Sequence, residues 1–268
     1  MVNSKKAKMM TKIGFLLSTI AILLVACEPA AHEDHWGYQG DEAPEHWADL
    51  GSGFALCRDG KQQSPIDLTD AVPIEDSGIE RSLGKTVLKR EQRARVMDLV
   101  DNGHTIQVTN DAAMTIELGG TYYELVQYHF HAPSEHTVDG VHAQLEIHFV
   151  HKSAAGELAV FGLLVEEGEH NVILEPIIAA LPDGPDDARH LEDLDLDMSE
   201  LRPLPQRYYR YEGSLTTPPC SEAVQWLVMV DKRQISAEQM TAIVSRLHHN
   251  NRPVQPLGDR VIGLVLGD

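Results

Sequence analysis

Histidines spaced two apart dominate the stretch from Tyr123 to His151, YELVQYHFHAPSEHTVDGVHAQLEIHFVH. It reads as two strands joined by a loop. Residues two apart in a strand share a face, so His129 and His131 point the same way, with Gln127 behind them. On the second strand Glu146, His148 and Val150 share one face, and Leu145, Ile147 and Phe149 take the other. If these strands pair antiparallel, three imidazoles converge on one point. Neutral imidazoles suit zinc, and a three-histidine site leaves a fourth position open for water, as a catalytic site does and a closed structural site does not. The chain has 14 histidines, so an H-x-H pair alone is a weak signal. The polar residue two positions before a ligand strengthens it. Gln127 and Glu146 stand where an acceptor would take the other ring N–H of His129 and His148 and fix each tautomer.

The elements that must position these residues are mostly strands. Val96 to Val100, Thr105 to Thr109 and Met114 to Leu118 read as short strands, with turns at Asn102-Gly103 and Gly119-Gly120. Leu158 to Val165 is a fully apolar strand, and Ala223 to Val230 is another. His35 to Gly53 reads as an irregular aromatic arm, 183 to 200 as an acidic loop and Asn250 to Leu266 as extended chain. A short helix is expected near Asn171 to Leu181, limited or kinked by Pro176. The clearest helix starts at Ser236, which forms a capping box with Gln239. Met240, Ile243, Val244 and Leu247 give that helix an apolar stripe. The fold class is mainly β, with little helix.

The 268 residues and 43% hydrophobic content are enough for one large core. The formal net charge is 22 − 41 = −19, which argues against nucleic acid and anionic membrane as partners. The N-terminus reads as an export signal: Lys5, Lys6, Lys8 and Lys12, then an apolar run from Ile13 to Val25 too short for a comfortable membrane span. Leu24-Val25-Ala26-Cys27 resembles the lipobox of bacterial lipoproteins. Residues 1–26 are then a signal peptide, 27–34 a tether lipidated at Cys27, and 35–268 the folded domain. Contact with the membrane is expected only through that lipid, and a homodimer stays open. With Cys27 so assigned, Cys57 and Cys220 remain, and an oxidising compartment allows a disulfide between them; two free thiols are the alternative.

Eight segments in order, HWGYQG at 35, QQSPIDL at 62, DNGH at 101, QYHFHAPSEHTVDG at 127, AQLEIHFVH at 143, LAVFG at 158, YEGSLTTPPCSE at 211 and NNRPVQPL at 250, resemble the α-class carbonic anhydrases in their exported bacterial form. The resemblance covers about His35 to Leu266. It implies a large, twisted, mostly antiparallel central sheet with short surface helices in a single domain. It also implies a zinc enzyme for reversible hydration of carbon dioxide to bicarbonate by zinc-bound hydroxide.

By the same resemblance His129, His131 and His148 are the zinc ligands. Gln127, Glu146 and the Asn250 backbone are the acceptors behind them. Thr216 is the gatekeeper that accepts from the hydroxide and donates to Glu135, with Thr217 beside it. Val150, Val160, Leu215, Val224 and Trp226 form the apolar wall that receives carbon dioxide. His104 is the proton shuttle, and Tyr38, Asn102 and Gln107 order water on the polar side. The Cys57 and Cys220 pair matches a disulfide holding the Thr216 loop. Ala132-Pro133 follows His131 where animal members usually have Trp-Gly, which leaves the ligands untouched.

Two rivals are weighed against this. A cupin metal site would use His129, His131 and Glu135, but needs a later histidine followed four residues on by Asn, and His148 is followed by Lys152. A non-catalytic binding relative would typically lack a metal histidine, and all three are present.

Overall fold

Apolar residues at every second position put one face of a strand on a core, and an unbroken apolar run such as 158–165 needs a core on both faces; the chain builds a sheet that supplies both. The computed structural model describes residues 35–74, 86–88, 93–201 and 207–266. The expected signal segment, the tether, Cys27 and residues 75–85 and 89–92 lie outside the described residues. Thirteen strands among the described residues form one twisted sheet. Its main path runs Val72–Pro73, Gly263–Leu266, Arg207–Ser214, Glu222–Met229, Leu158–Glu167, Leu145–Ser153, Thr121–His131, Ile106–Asn110, Met97–Asp101 and Ala188–Leu191. Pairing is mostly antiparallel. The exceptions are Val72–Pro73 beside Gly263–Leu266, and Leu158–Glu167 beside Glu222–Met229 and Arg233–Ile235. Among the described residues no helix is long and apolar enough to cross a membrane.

Side-chain alternation divides the interior. Tyr128, Phe130, Leu145, Ile147, Phe149, Phe161, Leu163 and Leu227 pack into the larger core on one face. Val160, Leu164, Tyr211, Val224, Trp226 and Val228 pack on the other. The Leu158–Glu167 strand is buried on both faces, which explains its unbroken apolar run. The site histidines fall on the face of the second, smaller core. His148 pairs in register with His129, Glu146 with His131, and Val150 with Gln127.

The helix Ala237–Leu247 carries the expected capping box, and Met240, Ile243 and Leu247 are buried. Val244 departs from the stripe and is 37% exposed, because the main core beneath this helix is contacted by one narrower face. Near residue 171 the chain makes a 3-10 turn, Val172–Leu174, and a five-residue helix, Glu175–Ala179. Pro176 sits in the first turn of that helix, where its missing N–H costs nothing, so it starts the helix rather than kinking it. The acidic 183–200 stretch is not all loop. Ala188–Leu191 pairs with Met97–Asp101 at the sheet edge, and Leu196–Asp197 pairs with Arg93–Ala94. Its acids lie on the solvated side while Leu191, Leu194 and Leu196 pack on the core.

The 35–53 arm contains Gly40–Glu42 and Trp47–Leu50 as single helical turns. Trp47 is fully buried and donates its indole N–H to the carbonyls of Gly37 and Glu42. Trp36, Tyr38 and Phe54 gather around it, against Cys57 and Cys220.

Candidate active site

The strand register turns three rings toward one point. Ring centroids lie 4.9 Å apart for His129–His131, 5.3 Å for His129–His148 and 4.5 Å for His131–His148. Each ring can offer a nitrogen so that all three lie within 4.8 Å of one another. The far nitrogens are held from behind. His129 Nδ1 is 2.8 Å from Gln127 Oε1, His131 Nδ1 is 2.7 Å from the Asn250 carbonyl, and His148 Nε2 is 2.9 Å from Glu146 Oε1. That leaves Nε2 of His129, Nε2 of His131 and Nδ1 of His148 turned to the centre. His131 Nε2 is buried and makes no hydrogen bond, and the His148 Nε2 contact with Glu146 is a close charge contact outside hydrogen-bond geometry. A buried nitrogen without a partner is costly, and a metal ion is the partner this donor set fits: three imidazoles with oriented backing. Burial, and then the neighbouring rings, hold His129 well below the ordinary histidine range, which keeps its ring neutral as ligation requires.

Glu146 is fully buried and serves several groups at once. Its Oε1 also meets His136 Nδ1 at 2.7 Å, and its Oε2 accepts the backbone N–H groups of Glu135 and His136, both at 2.9 Å. Burial pushes this carboxyl up, but the His136 and His148 rings overcome it and hold the group well below the usual carboxylate range. The network continues. His136 Nε2 is 2.6 Å from the Tyr211 hydroxyl, which is 2.9 Å from Ser64 Oγ. An ionised carboxylate only accepts, so His136 donates from Nδ1 and accepts the Tyr211 O–H hydrogen bond at Nε2. Gly162 and Gly213 make room for this: a Cβ on Gly162 would stand 3.0 Å from Glu146 Oε1, and one on Gly213 only 2.2 Å from Ser64 Oγ. Leaving a buried charge of this kind without its partner costs about 3–5 kcal/mol.

Glu135 is buried beside the rings, 3.6 Å from His131 Nδ1. Its Oε1 accepts the backbone N–H of Arg252 at 2.8 Å, and its Oε2 accepts no hydrogen bond. The Thr216-to-Glu135 hydrogen bond that the family resemblance implies is therefore not made here. Thr216 itself is buried, in the turn after the Arg207–Ser214 strand. That turn is closed by the Cys220 N–H on the Thr217 carbonyl and the Leu215 N–H on the Ser221 carbonyl. It is tied down by a Cys57–Cys220 disulfide, whose Cα atoms are 5.0 Å apart. The disulfide points to an oxidising, exported compartment.

Val150, Val160, Leu215, Val224 and Trp226 all belong to the smaller apolar cluster, and Trp226 also packs edge-on against His148 at 4.9 Å. Gln107 pairs in register with His129. Tyr38 sits in the aromatic arm, where burial and then the Glu135 charge raise its phenol well above the ordinary value. Asn102 is a turn former here, its Oδ1 accepting from the N–H groups of His104 and Thr105. His104 is half-buried and stacks on Trp36 with centroids 3.8 Å apart. Burial, and then the charge of His35, lower its pKa from the ordinary 6.5. Sequence reasoning assigned no role to Ser64, His136, Tyr211 or Arg252. The first three lie in the QQSPIDL, APSEHT and YEGS segments, but no spacing rule joins segments so far apart.

A large twisted sheet carries three convergent imidazoles on one face, and comparisons with known proteins find the same fold. The family model described as eukaryotic-type carbonic anhydrase matches residues 42–265. A carbonic anhydrase of Pectobacterium atrosepticum is 39% identical over 247 residues, which covers 91% of this chain and 97% of that one. The α-carbonic anhydrase of Thermovibrio ammonificans, solved with the inhibitor sulfanilamide, is 40% identical with a TM-score of 0.75, covering 86% of this chain and 99% of that one. Dioscorin, solved in complex with ascorbate, shares the fold at 29% identity and a TM-score of 0.76, covering 88% and 99%. The chain belongs to the α-type carbonic anhydrase family, and carbon dioxide hydration is that family's general activity.

Proposed function

We propose that His129, His131 and His148 hold one zinc ion and that the protein catalyses reversible hydration of carbon dioxide to bicarbonate and a proton. The observation that carries this reading is the convergence of three backed imidazoles with His131 Nε2 buried and unpartnered. Zinc supplies a hydroxide nucleophile at neutral pH and a Lewis-acid centre; carbonic anhydrase is the standing example of that general rule.

The chain's own residues do the rest. Gln127, Glu146 and the Asn250 carbonyl orient the rings. Carbon dioxide has no charge to grip, so Val150, Val160, Leu215, Val224 and Trp226 receive it beside the nucleophile. An ionised Glu135 can only accept, and its open Oε2 is the acceptor to which the Thr216 hydroxyl would donate. Thr216 then has only acceptor capacity left toward the metal position, so metal-seeking anions without a proton are disfavoured. Thr217 lies beside it, and Tyr38, Asn102 and Gln107 make the polar side. Stopped-flow hydration of carbon dioxide by the purified protein tests the reading. A rate no faster than buffer would contradict it.

Each turnover releases a proton that must reach solvent, and His104 is the relay in this reading. Its lowered pKa leaves the ring neutral at pH 7, ready to accept. His104→Ala is expected to lower kcat by about ten- to a hundredfold while kcat/KM for carbon dioxide stays nearly unchanged, because hydration itself does not use the ring. Added imidazole restores much of the loss. An unchanged kcat in dilute buffer removes His104 from the mechanism.

Export belongs to the same proposal. The lysine-rich start, the apolar run to Val25, the Leu24-Val25-Ala26-Cys27 segment and the disulfide support a lipoprotein-type signal over 1–26, a tether over 27–34 and a periplasmic or envelope location. Cys27→Ser is expected to move the protein from the membrane fraction to the soluble periplasm, since stable attachment needs the acyl chains. A mutant that fractionates like the wild type refutes lipidation.

A further inference from the structure

Arg252 is the least accounted-for charge near the site. It is 1% exposed, yet among the described residues its guanidinium hydrogen-bonds only neutral oxygens. Nη1 donates to Gln63 Oε1 at 2.9 Å and to the Ser64 carbonyl at 2.8 Å, and Nη2 donates to the Cys57 carbonyl at 2.8 Å. It also lies over the Trp47 ring, 5.6 Å from the centroid. A buried cation normally sits against a carboxylate. Here the carboxylate is engaged indirectly: the backbone N–H of Arg252 donates to Glu135 Oε1, and this is the hydrogen bond Glu135 accepts. Burial brings the guanidinium down to about 10 even though the Glu135 charge opposes that fall.

The fork ends on the disulfide. The Cys57 carbonyl is one of its acceptors, and Gln63, which receives Nη1, donates from its own Nε2 to the Cys220 carbonyl at 3.0 Å. Both half-cystines are therefore tied to the residue that holds Glu135. Cys220 also closes the Thr216 turn through its N–H on the Thr217 carbonyl. One crosslink thus reaches both the hydroxyl and the carboxylate of the proposed gatekeeping pair, from opposite sides.

We propose that Arg252 is a positioning residue that carries the Cys57–Cys220 clamp to the Glu135 carboxylate and thereby sets which ligands the metal position accepts. Its planar fork matters, because lysine retains the charge but cannot reach three acceptors in fixed directions. This inference rests on the zinc reading above. In the zinc-loaded protein of that reading, Thr216 would donate to the open Glu135 Oε2; loosening Glu135 would free the hydroxyl to donate outward, so ligands without a proton gain on ligands that carry one.

The test is calorimetric titration of zinc-loaded wild type and Arg252→Lys with sulfanilamide, whose nitrogen carries a proton, and with azide, which has none. The preference for sulfanilamide over azide should fall by about tenfold in the variant, the worth of one ordered hydrogen bond, with zinc content unchanged. Reducing the disulfide should lower the preference in the wild type and have a smaller further effect in Arg252→Lys, because the two changes act on one path. Gln63→Leu, which removes one acceptor and leaves the cation, should act in the same direction and decides the matter if the lysine variant does not fold. A purely structural arginine would lower the unfolding temperature and leave the preference intact; that result overturns the proposal. A wild type that binds neither ligand overturns the zinc reading itself, and this inference with it.

Discussion

His148→Ala protein is expected to retain no stoichiometric zinc and to hydrate carbon dioxide at the uncatalysed rate. Two histidines cannot complete a three-ligand platform, and His148 is the ring whose far nitrogen lies on Glu146. Its loss therefore also strips one partner from a fully buried carboxylate that His136 and two backbone N–H groups share. Stability should fall by about 1–3 kcal/mol on that account, since His136 and the two backbone N–H groups still hold the carboxylate. Metal analysis and stopped-flow assay on one sample decide the assignment. Stoichiometric zinc with normal hydration in the mutant would sink it.

Reduction of the disulfide has the second largest expected effect. The bond spans a sequence separation of 163 residues. The chain-entropy account assigns about 4–5 kcal/mol to closing so long a loop, which corresponds to a fall in unfolding temperature of about 10 °C or more for a domain of this size. Activity should suffer before global unfolding, because the bond ties down the turn that carries Thr216. Calorimetry with and without reductant checks the first point, and assay below the transition checks the second. An unfolding temperature unmoved by full reduction would contradict the account.

Much of this was legible in the sequence because strand alternation is a strict geometric rule. The placement of His129, His131 and His148 on one face follows from a period of two, and so does the burial of Leu145, Ile147 and Phe149 on the other. The Ser236 capping box was equally readable, being local. What escaped was non-local or compositional. The Ala188–Leu191 strand hides in an acidic stretch, because an edge strand with one solvated face needs few apolar residues. Val244 lies on the expected stripe yet is partly exposed, since the period does not say how wide a face the core contacts. The His136–Tyr211–Ser64 chain joins segments 75 and 147 residues apart, and the Arg252 fork reaches across 188 to 195 residues. Nothing in local patterning marks such partners. The open Glu135 Oε2 is a further departure, visible only once every acceptor is matched to its donor.

The central claim is that one zinc ion on His129, His131 and His148 makes this chain a carbon dioxide hydratase. It is tested most directly by stripping the purified protein of metal and titrating zinc back while stopped-flow hydration is followed. The account predicts no catalysis without metal, a linear rise with added zinc and a break at about one equivalent per chain, as one three-histidine platform requires. Full hydration activity in the stripped protein, or stoichiometric zinc uptake with no hydration at all, would contradict it.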